Sequence, residues 1–365
     1  MKICYLADAQ SVHTQRWACS IKDRGIDVII ISFRYAKING IPVFVIKTPK
    51  IFKISPSSPI WSRYHYLFGL KQARKIINKY NPDILHAFWA TSYGFLGARI
   101  NHKNFLISVW GSDIVDLPRN FIISKIMKYI LNKAKLIFCT SQFLLTKTKR
   151  YVDKRNSLCH IHFGVNHKDY IAKEYAKNNK VIIGSTKYFE SKYGLKNLIN
   201  AFYTLSKKYN NIELRLYGGG SEKDEMYKLI EKLDIADRCL IGDKVKYEDI
   251  ARLLSSFDIY VMPSISDSET FGVSALEASA TGIPVVGTRV GGIPEVVIHE
   301  RTGILVEKNN IYSLIEALEK LIVSKELRIK YGNTGREFVK ENYRWRDSVE
   351  LKVEKYSKVL KDTCE

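Results

Sequence analysis

Short apolar runs alternate with amphipathic stretches along almost the whole chain, and no other feature constrains the fold so strongly. From Lys2 the order is KICYLAD, a loop AQSVHTQ, the stretch RWACSIKDRG, then IDVIIISF, and it resumes at VIIGSTKYFESKYGLKNLINAF. Strands of this length joined by helices pair in parallel, giving an α/β doubly wound sheet with ligand sites at the carboxyl ends of its strands. At 365 residues the chain suits two domains of ordinary size, each burying its own core.

Residues 263–297, PSISDSETFGVSALEASATGIPVVGTRVGGIPEVV, concentrate the chemistry. They read as a loop after a strand over 259–262, a short helix over 271–281, Gly282 and Pro284 as stops, and a strand over 284–287. Gly272 in the first turn has no side chain to block approach. The N–H groups of Gly272, Val273 and Ser274, with the positive end of the dipole, therefore make an anion site. Glu277 follows Val273 by four residues, on the same face and about 6 Å deeper, the distance from a phosphate to the hydroxyls of its ribose. Glu269, ahead of the helix, can accept from hydroxyls beyond the phosphates. Taken singly, each Glu reads equally as a structural carboxylate and the glycines as turn residues. Together they lay sugar, diphosphate and ribose along Glu269, Gly272/Val273 and Glu277.

The spaced pair Glu269 and Glu277, with Phe271-Gly272 inside it, then Gly282-x-Pro284-Val285 and Gly291-Gly292-x-Pro294-Glu295, resembles family 4 of the retaining glycosyltransferases. The resemblance implies the GT-B fold, two Rossmann-like doubly wound domains facing a central cleft. Residues 1–170 would bind the acceptor and 171–345 the donor, with a terminal helix over 346–365 crossing back from its start at Tyr343-Arg344-Trp345. It implies a hexosyl- or N-acetylhexosaminyltransferase with a nucleoside diphosphate sugar as donor, retention of configuration, and neither metal nor cofactor. The sequence has no Asp-x-Asp.

The same resemblance assigns residues. Lys187 and Lys192 stand five apart after a strand ending at Gly184, where relatives carry Arg and Lys that clamp the diphosphate. Lysine at 187 keeps the charge and loses the bidentate fork. Gly218 and Gly219 would flank the nucleotide, and the main chain around Ile241 would read the base. His86 matches a histidine that relatives place after a strand. Asp113, in Trp110-Gly111-Ser112-Asp113, stands near the place of a histidine beside the sugar's anomeric carbon, or else caps the next segment. His13 lies where relatives carry Gly-Gly, and contacts acceptor or phosphate or caps a helix. Ser141 closes another strand on the acceptor side. Asn166 replaces the usual Asp at the entry to the second domain. The expected catalytic set is Glu269, Lys192, Lys187, Asp113 and His86. The donor set is Gly184, Lys187, Lys192, Gly218, Gly219, Ile241, Glu269, Phe271, Gly272, Val273 and Glu277, and the acceptor set is His13, Asp113 and Ser141.

Charge is unevenly divided. Residues 1–175 hold 28 Lys and Arg against 9 Asp and Glu; the remainder holds 30 against 28. The excess reads either as a solvated surface or as a face for an anionic membrane, where each nearby cation contributes about 1 kcal/mol. Basic amphipathic stretches over 63–80 and 122–135, with a Pro/Ser-rich loop from Ser55 to Ser62 before the first, fit the membrane face and ordinary half-buried helices alike. No RNA or DNA motif accompanies the charge, which argues against nucleic acid. No apolar run spans a bilayer, and Met1 leads straight into a strand, so the expectation is a cytoplasmic protein, peripheral on the inner membrane face. The acceptor expected there is a glycan or a lipid-linked precursor of lipopolysaccharide or another surface polysaccharide.

Six scattered cysteines signal neither disulfides nor zinc. Cys159-His160-Ile161-His162 reads as a metal cluster or as strand alternation. Two other functions share the pattern. A nucleotide-sugar epimerase needs acid/base residues placed for proton abstraction, which this motif set lacks. A silent nucleotide-sugar-binding protein would explain the unusual N-terminal motifs.

Overall fold

The computed structural model describes residues 1–47, 68–116, 121–153, 157–175 and 180–363. The chain divides into two compact units, residues 1–162 together with 347–365, and residues 163–346. The loop from Ser55 to Ser62, the first part of the 63–80 stretch, and Cys364 lie outside the described residues.

In the first unit β1 (Lys2–Leu6), α1 (Val12–Lys22), β2 (Asp27–Ser32), β3 (Val43–Val45), α2 (Leu70–Tyr80) and β4 (Ile84–Phe88) lead to α3 (Phe95–Ile100) and β5 (Phe105–Val109). Then come α4 (Ser112–Val115), α5 (Phe121–Asn132), β6 (Leu136–Cys139), α6 (Gln142–Thr148) and β7 (Ser157–His160). The strands form one parallel sheet in the order β3-β2-β1-β4-β5-β6-β7. Strand alternation sorts the side chains between its faces. Cys4, Leu6, Leu85, Ala87, Ile107 and Ile137 pack with Ala73 and Ile77 of α2, Leu96 of α3 and Met127 of α5. On the opposite face Tyr5, His86, Phe88 and Phe138 meet Trp17 of α1 and the terminal helix Trp345–Lys361. The doubly wound arrangement expected from the sequence is thus present.

The stretch 84–94 stops being a strand at Phe88. Trp89 takes a positive φ of 81°, and Ala90–Gly94 forms a π-helical turn. The buried carboxylate of Asp113 accepts from Ala90 N–H at 2.8 Å and fixes the start of that turn.

The second sheet repeats the plan. Its elements are β8 (Val181–Ser185), α7 (Leu195–Ser206), β9 (Ile212–Tyr217), α8 (Lys223–Lys232), β10 (Cys239–Gly242), α9 (Ile250–Ser255) and β11 (Ile259–Met262). These are followed by α10 (Val273–Ala280), β12 (Val285–Thr288), α11 (Ile293–Val296), β13 (Gly303–Val306), α12 (Ile311–Val323) and α13 (Lys325–Asn342). The order is β10-β9-β8-β11-β12-β13, again all parallel. One face packs on Leu198 and Phe202 of α7, Met226 of α8 and Leu318 of α12. Across the other, Gly332 of α13 lets the helix approach α10's end: a Cβ there would meet the Gly282 carbonyl at 2.0 Å.

Lys352 on the terminal helix is an unusual interior residue of the first unit. It is 2% exposed, with Nζ 3.5 Å from the Trp17 ring centroid and 5.2 Å from those of Phe88 and Phe138. No carboxylate among the described residues pairs with it, and burial pushes its ammonium well below the ordinary lysine value. The unfolded chain binds a proton that the fold resists, so stability should rise as pH climbs toward the unfolded lysine value of about 10.4. The slope from this group is at most about 1.4 kcal/mol per pH unit. Lys352→Met should raise Tm at pH 7 and flatten its rise between pH 7 and 10 in calorimetric scans. A lower Tm at pH 7 would show instead that the rings stabilise the cation more than burial opposes it.

Candidate functional site

In an open parallel sheet the ligand crevice lies at the carboxyl ends of the strands where the order reverses. In the second unit that point is between β8 and β11. The loop after β8 carries Lys187 and Lys192, and the loop after β11 carries Glu269 before reaching α10. The two loops are laced together. Ile265 N–H donates to the Lys192 carbonyl at 2.9 Å, and Gly194, at φ 65°, sits so close that a Cβ would meet the Pro263 carbonyl at 2.1 Å.

Lys187 Nζ forms an ion pair and hydrogen bond with Glu269, their side chains 11% and 13% exposed. Burial alone pulls the lysine's proton affinity down. Attraction to the Glu269 carboxylate, with Tyr193 and Tyr260, outweighs it and holds the group above the ordinary lysine value, hence as a cation. Tyr260 in β11 anchors the loop base, its hydroxyl 2.8 Å from Thr186 Oγ. Lys192 lies 3.4 Å from Glu190.

Glycines press from the far side. A Cβ on Gly291 would stand 1.9 Å from the Glu269 carbonyl, and one on Gly292 2.1 Å from that of Thr270. Gly292 N–H bonds the Glu269 carbonyl at 3.0 Å. The Gly291-Gly292 pair therefore fixes where Glu269 leaves the backbone.

The start of α10 is as expected in character and two residues later in position. Gly272, at φ 90° and ψ 45°, is the cap, a conformation that favours glycine, and it makes no side-chain cap bond. Among the described residues the N–H groups of Gly272, Val273 and Ser274 have no hydrogen-bond acceptor. Glu277 is 7% exposed, and its Oε1 accepts from Tyr170 Oη at 3.2 Å.

Several donor-set residues act through packing. Phe271 is 3% exposed between Phe163 and Tyr343, with centroids at 6.1 and 5.8 Å, so its side chain is an anchor and only its main chain adjoins the helix tip. Gly184 lies under the Phe257 ring, where a Cβ would approach to 2.3 Å. Gly218 meets the Lys187 carbonyl in the same way, whereas Gly219 has open space around its Cβ position. Ile241 is half-buried in β10, its carbonyl accepting from Tyr227 Oη at 3.4 Å.

In the first unit the structure corrects three assignments. His86, expected to be catalytic, is wholly buried, with Nδ1 2.7 Å from Tyr356 Oη and Nε2 2.9 Å from Ser108 Oγ. It ties the terminal helix to the sheet. Burial, with Lys352 second, keeps it neutral. Asp113, expected beside the sugar, is also wholly buried, accepting from Ala90, Trp110 and Gly111 N–H groups at 2.8, 3.1 and 2.8 Å. It ties the Trp110-Gly111 turn to the start of the Ala90–Gly94 turn, and α4 has no side-chain cap bond. Ser141, assigned to the acceptor, is buried and caps α6 by accepting from Leu144 N–H at 3.0 Å. His13 is half-buried, edge-on to Trp110 at 5.8 Å, with its pKa lowered to about 4 by burial and then by Arg16. It is uncharged at neutral pH, and Ser11 rather than His13 caps α1.

Sequence reasoning missed Tyr193, Tyr260 and Tyr170. Tyr260 is hidden in an apolar strand run, and Tyr170 meets Glu277 across 107 positions of sequence. Tyr193 had a signal, its place directly after Lys192 in the clamp loop.

A family model described as glycosyl transferases group 1 matches residues 166–338, and one described as glycosyl transferase 4-like matches residues 2–141. N-acetyl-alpha-D-glucosaminyl L-malate synthase of Bacillus anthracis is 27% identical over 305 residues, 79% of this chain and 78% of that protein. Among solved structures, sucrose-phosphate synthase from Thermosynechococcus elongatus superposes with TM-score 0.86 at 18% identity, covering 99% of this chain and 100% of that one. Anabaena Alr3699/HepE, solved in complex with UDP and glucose, gives 0.76 at 18% identity over 98% and 99% of the two chains. With matched models over both halves and this fold throughout, the chain belongs to the GT-B glycosyltransferases of the family 4-like kind.

Proposed function

We propose that this glycosyltransferase takes a hexosyl or N-acetylhexosaminyl group from a nucleoside diphosphate sugar, retains its anomeric configuration, and uses neither metal nor cofactor. The observation that carries this reading is the Lys187–Glu269 pair beside the open N-terminus of α10, at the β8/β11 reversal. The UDP and glucose of the Anabaena neighbour support a nucleotide-sugar donor.

As the bond from the anomeric carbon to the β-phosphate breaks, negative charge gathers on the phosphate. The N–H groups of Gly272, Val273 and Ser274, with Lys187 and Lys192, meet it as fixed positive groups that need no rearrangement. Glu269 orients Lys187 and accepts from the sugar's hydroxyls, and Glu277 accepts from the ribose. The acceptor hydroxyl adds on the face the phosphate leaves, and its proton passes to the departing phosphate oxygen, so that nucleoside diphosphate is released.

The acceptor is a glycan or lipid-linked precursor of surface polysaccharide, met by the first unit at an anionic membrane, with the protein cytoplasmic. No helix among the described residues is long and apolar enough to cross a membrane. On α5, Phe121 and Ile122 are 71% and 58% exposed. Lys125 and Lys128 follow on the same helix, Lys125 Nζ lying 4.2 Å from the Phe121 centroid. An exposed apolar end set among lysines suits a headgroup layer.

Release of nucleoside diphosphate from UDP-, GDP- and ADP-sugars tests the donor site. Glu277→Gln should weaken donor binding roughly 10-fold, and Lys192→Ala should lower the rate roughly 100-fold. Wild-type values in both would remove the assignment. For the membrane face, sedimentation with phosphatidylglycerol vesicles should show binding at low salt, weakened by high salt and by Phe121→Asp with Ile122→Asp. Absence of binding at low salt would end that reading.

A further inference from the structure

The Tyr193 ring lies within cation–π reach of both lysines of the loop after β8. Lys187 Nζ is 4.6 Å from its centroid and Lys192 Nζ 5.2 Å. Together these two distances bound the separation of the ammoniums. The residue belongs to a single tight turn, Ser191–Tyr193, closed by Gly194 in the left-handed region. Gly194 is held against the Pro263 carbonyl, and Lys192's own carbonyl accepts from Ile265 N–H. Tyr188 packs on the same ring at a centroid distance of 6.4 Å. The backbone that carries the ring is thus held in place, and Tyr188 packs against the ring itself.

Two like charges brought near one another repel, and each long lysine stem has many rotamers to lose. A ring in reach of both answers both difficulties, because its negative π system attracts each cation. Glu269 secures only Lys187, and Glu190, which faces Lys192, is itself 45% exposed at 3.4 Å. When a diphosphate arrives, Lys187 must share its donors between Glu269 and phosphate. The ring's attraction uses none of those donors and so does not compete with that exchange.

We propose that Tyr193 is a positioning residue that holds Lys187 and Lys192 at the separation a diphosphate requires, through its ring and not its hydroxyl. The inference rests on the donor reading given above. The two lysines act as a preorganised fork, compensating for the bidentate group that a lysine at 187 lacks.

Three variants, Tyr193→Phe, Tyr193→Leu and the double Lys187→Ala/Lys192→Ala, test it by titration calorimetry with UDP, GDP and ADP. Lysine ε-methylene proton shifts, read by NMR, give a second signature. Tyr193→Phe should keep wild-type affinity and the upfield ring shifts on both lysines. Tyr193→Leu should lose those shifts and bind the preferred nucleotide about 10-fold more weakly at unchanged Tm. Wild-type affinity in Tyr193→Leu, beside a weakened double lysine variant, would overturn the positioning role alone. Equal loss in Tyr193→Phe and Tyr193→Leu would overturn it in favour of the hydroxyl. Unchanged affinity in the double lysine variant would overturn the donor reading itself.

Discussion

An ammonium and a carboxylate, Lys187 and Glu269, face each other with little access to water, and the second unit is arranged to hold them there. Partial burial of two ions carries a desolvation penalty of several kcal/mol per ion that attraction offsets only when geometry is well fixed. Three glycines supply that fixity. Gly291 and Gly292 seat the Glu269 backbone, and Gly194 locks the lysine loop on Pro263. The sheet places these loops side by side because β8 and β11 are neighbours while their helices leave toward opposite sides. Beside the pair lies a helix start whose N–H groups await an acceptor. A pair this constrained is less a source of stability than a charged fixture, and the proposed donor reading makes an incoming diphosphate its partner.

The first unit spends its polar residues differently. His86, Asp113 and Ser141 all sit at or near carboxyl ends of strands, where ligands are expected, yet each is turned inward and bonded. His86 joins β4, β5 and the terminal helix through Tyr356 and Ser108, and Lys352 fills an aromatic box next to it. The effect is to fasten the last helix of the chain to the first unit. On α5, by contrast, Phe121 and Ile122 stand exposed beside Lys125 and Lys128.

What could be read in advance depended on how local its cause was. Sheet type followed from strand length and alternation, because parallel strands buried on both faces need apolar runs and helical crossovers. The α10 tip was legible because Gly272 and the Gly282-x-Pro284 stop act within a dozen residues. The start of α10 was displaced by two residues because Phe271 is drawn into the aromatic contact with Phe163 and Tyr343 instead of entering the helix. Side-chain direction at strand ends was not legible. Whether His86 faces a crevice or a helix is decided by Tyr356, 270 positions later. Asp113 reads as a ligand group until the N–H groups it receives, one of them from Ala90 in an unforeseen π turn, are seen around it. The glycine-rich loop after β9 likewise looked like an open backbone edge flanking the nucleotide. Only Gly219 has open space, and Gly218 and Gly220 are glycines because backbone passes over them.

A structure of the chain with UDP or GDP bound would test the central claim most directly. The account requires the β-phosphate to lie within hydrogen-bond distance of Gly272 or Val273 N–H, with Lys187 Nζ reaching it from Glu269. Phosphates found away from that helix start, with Lys187 still bonded to Glu269 alone, would contradict it.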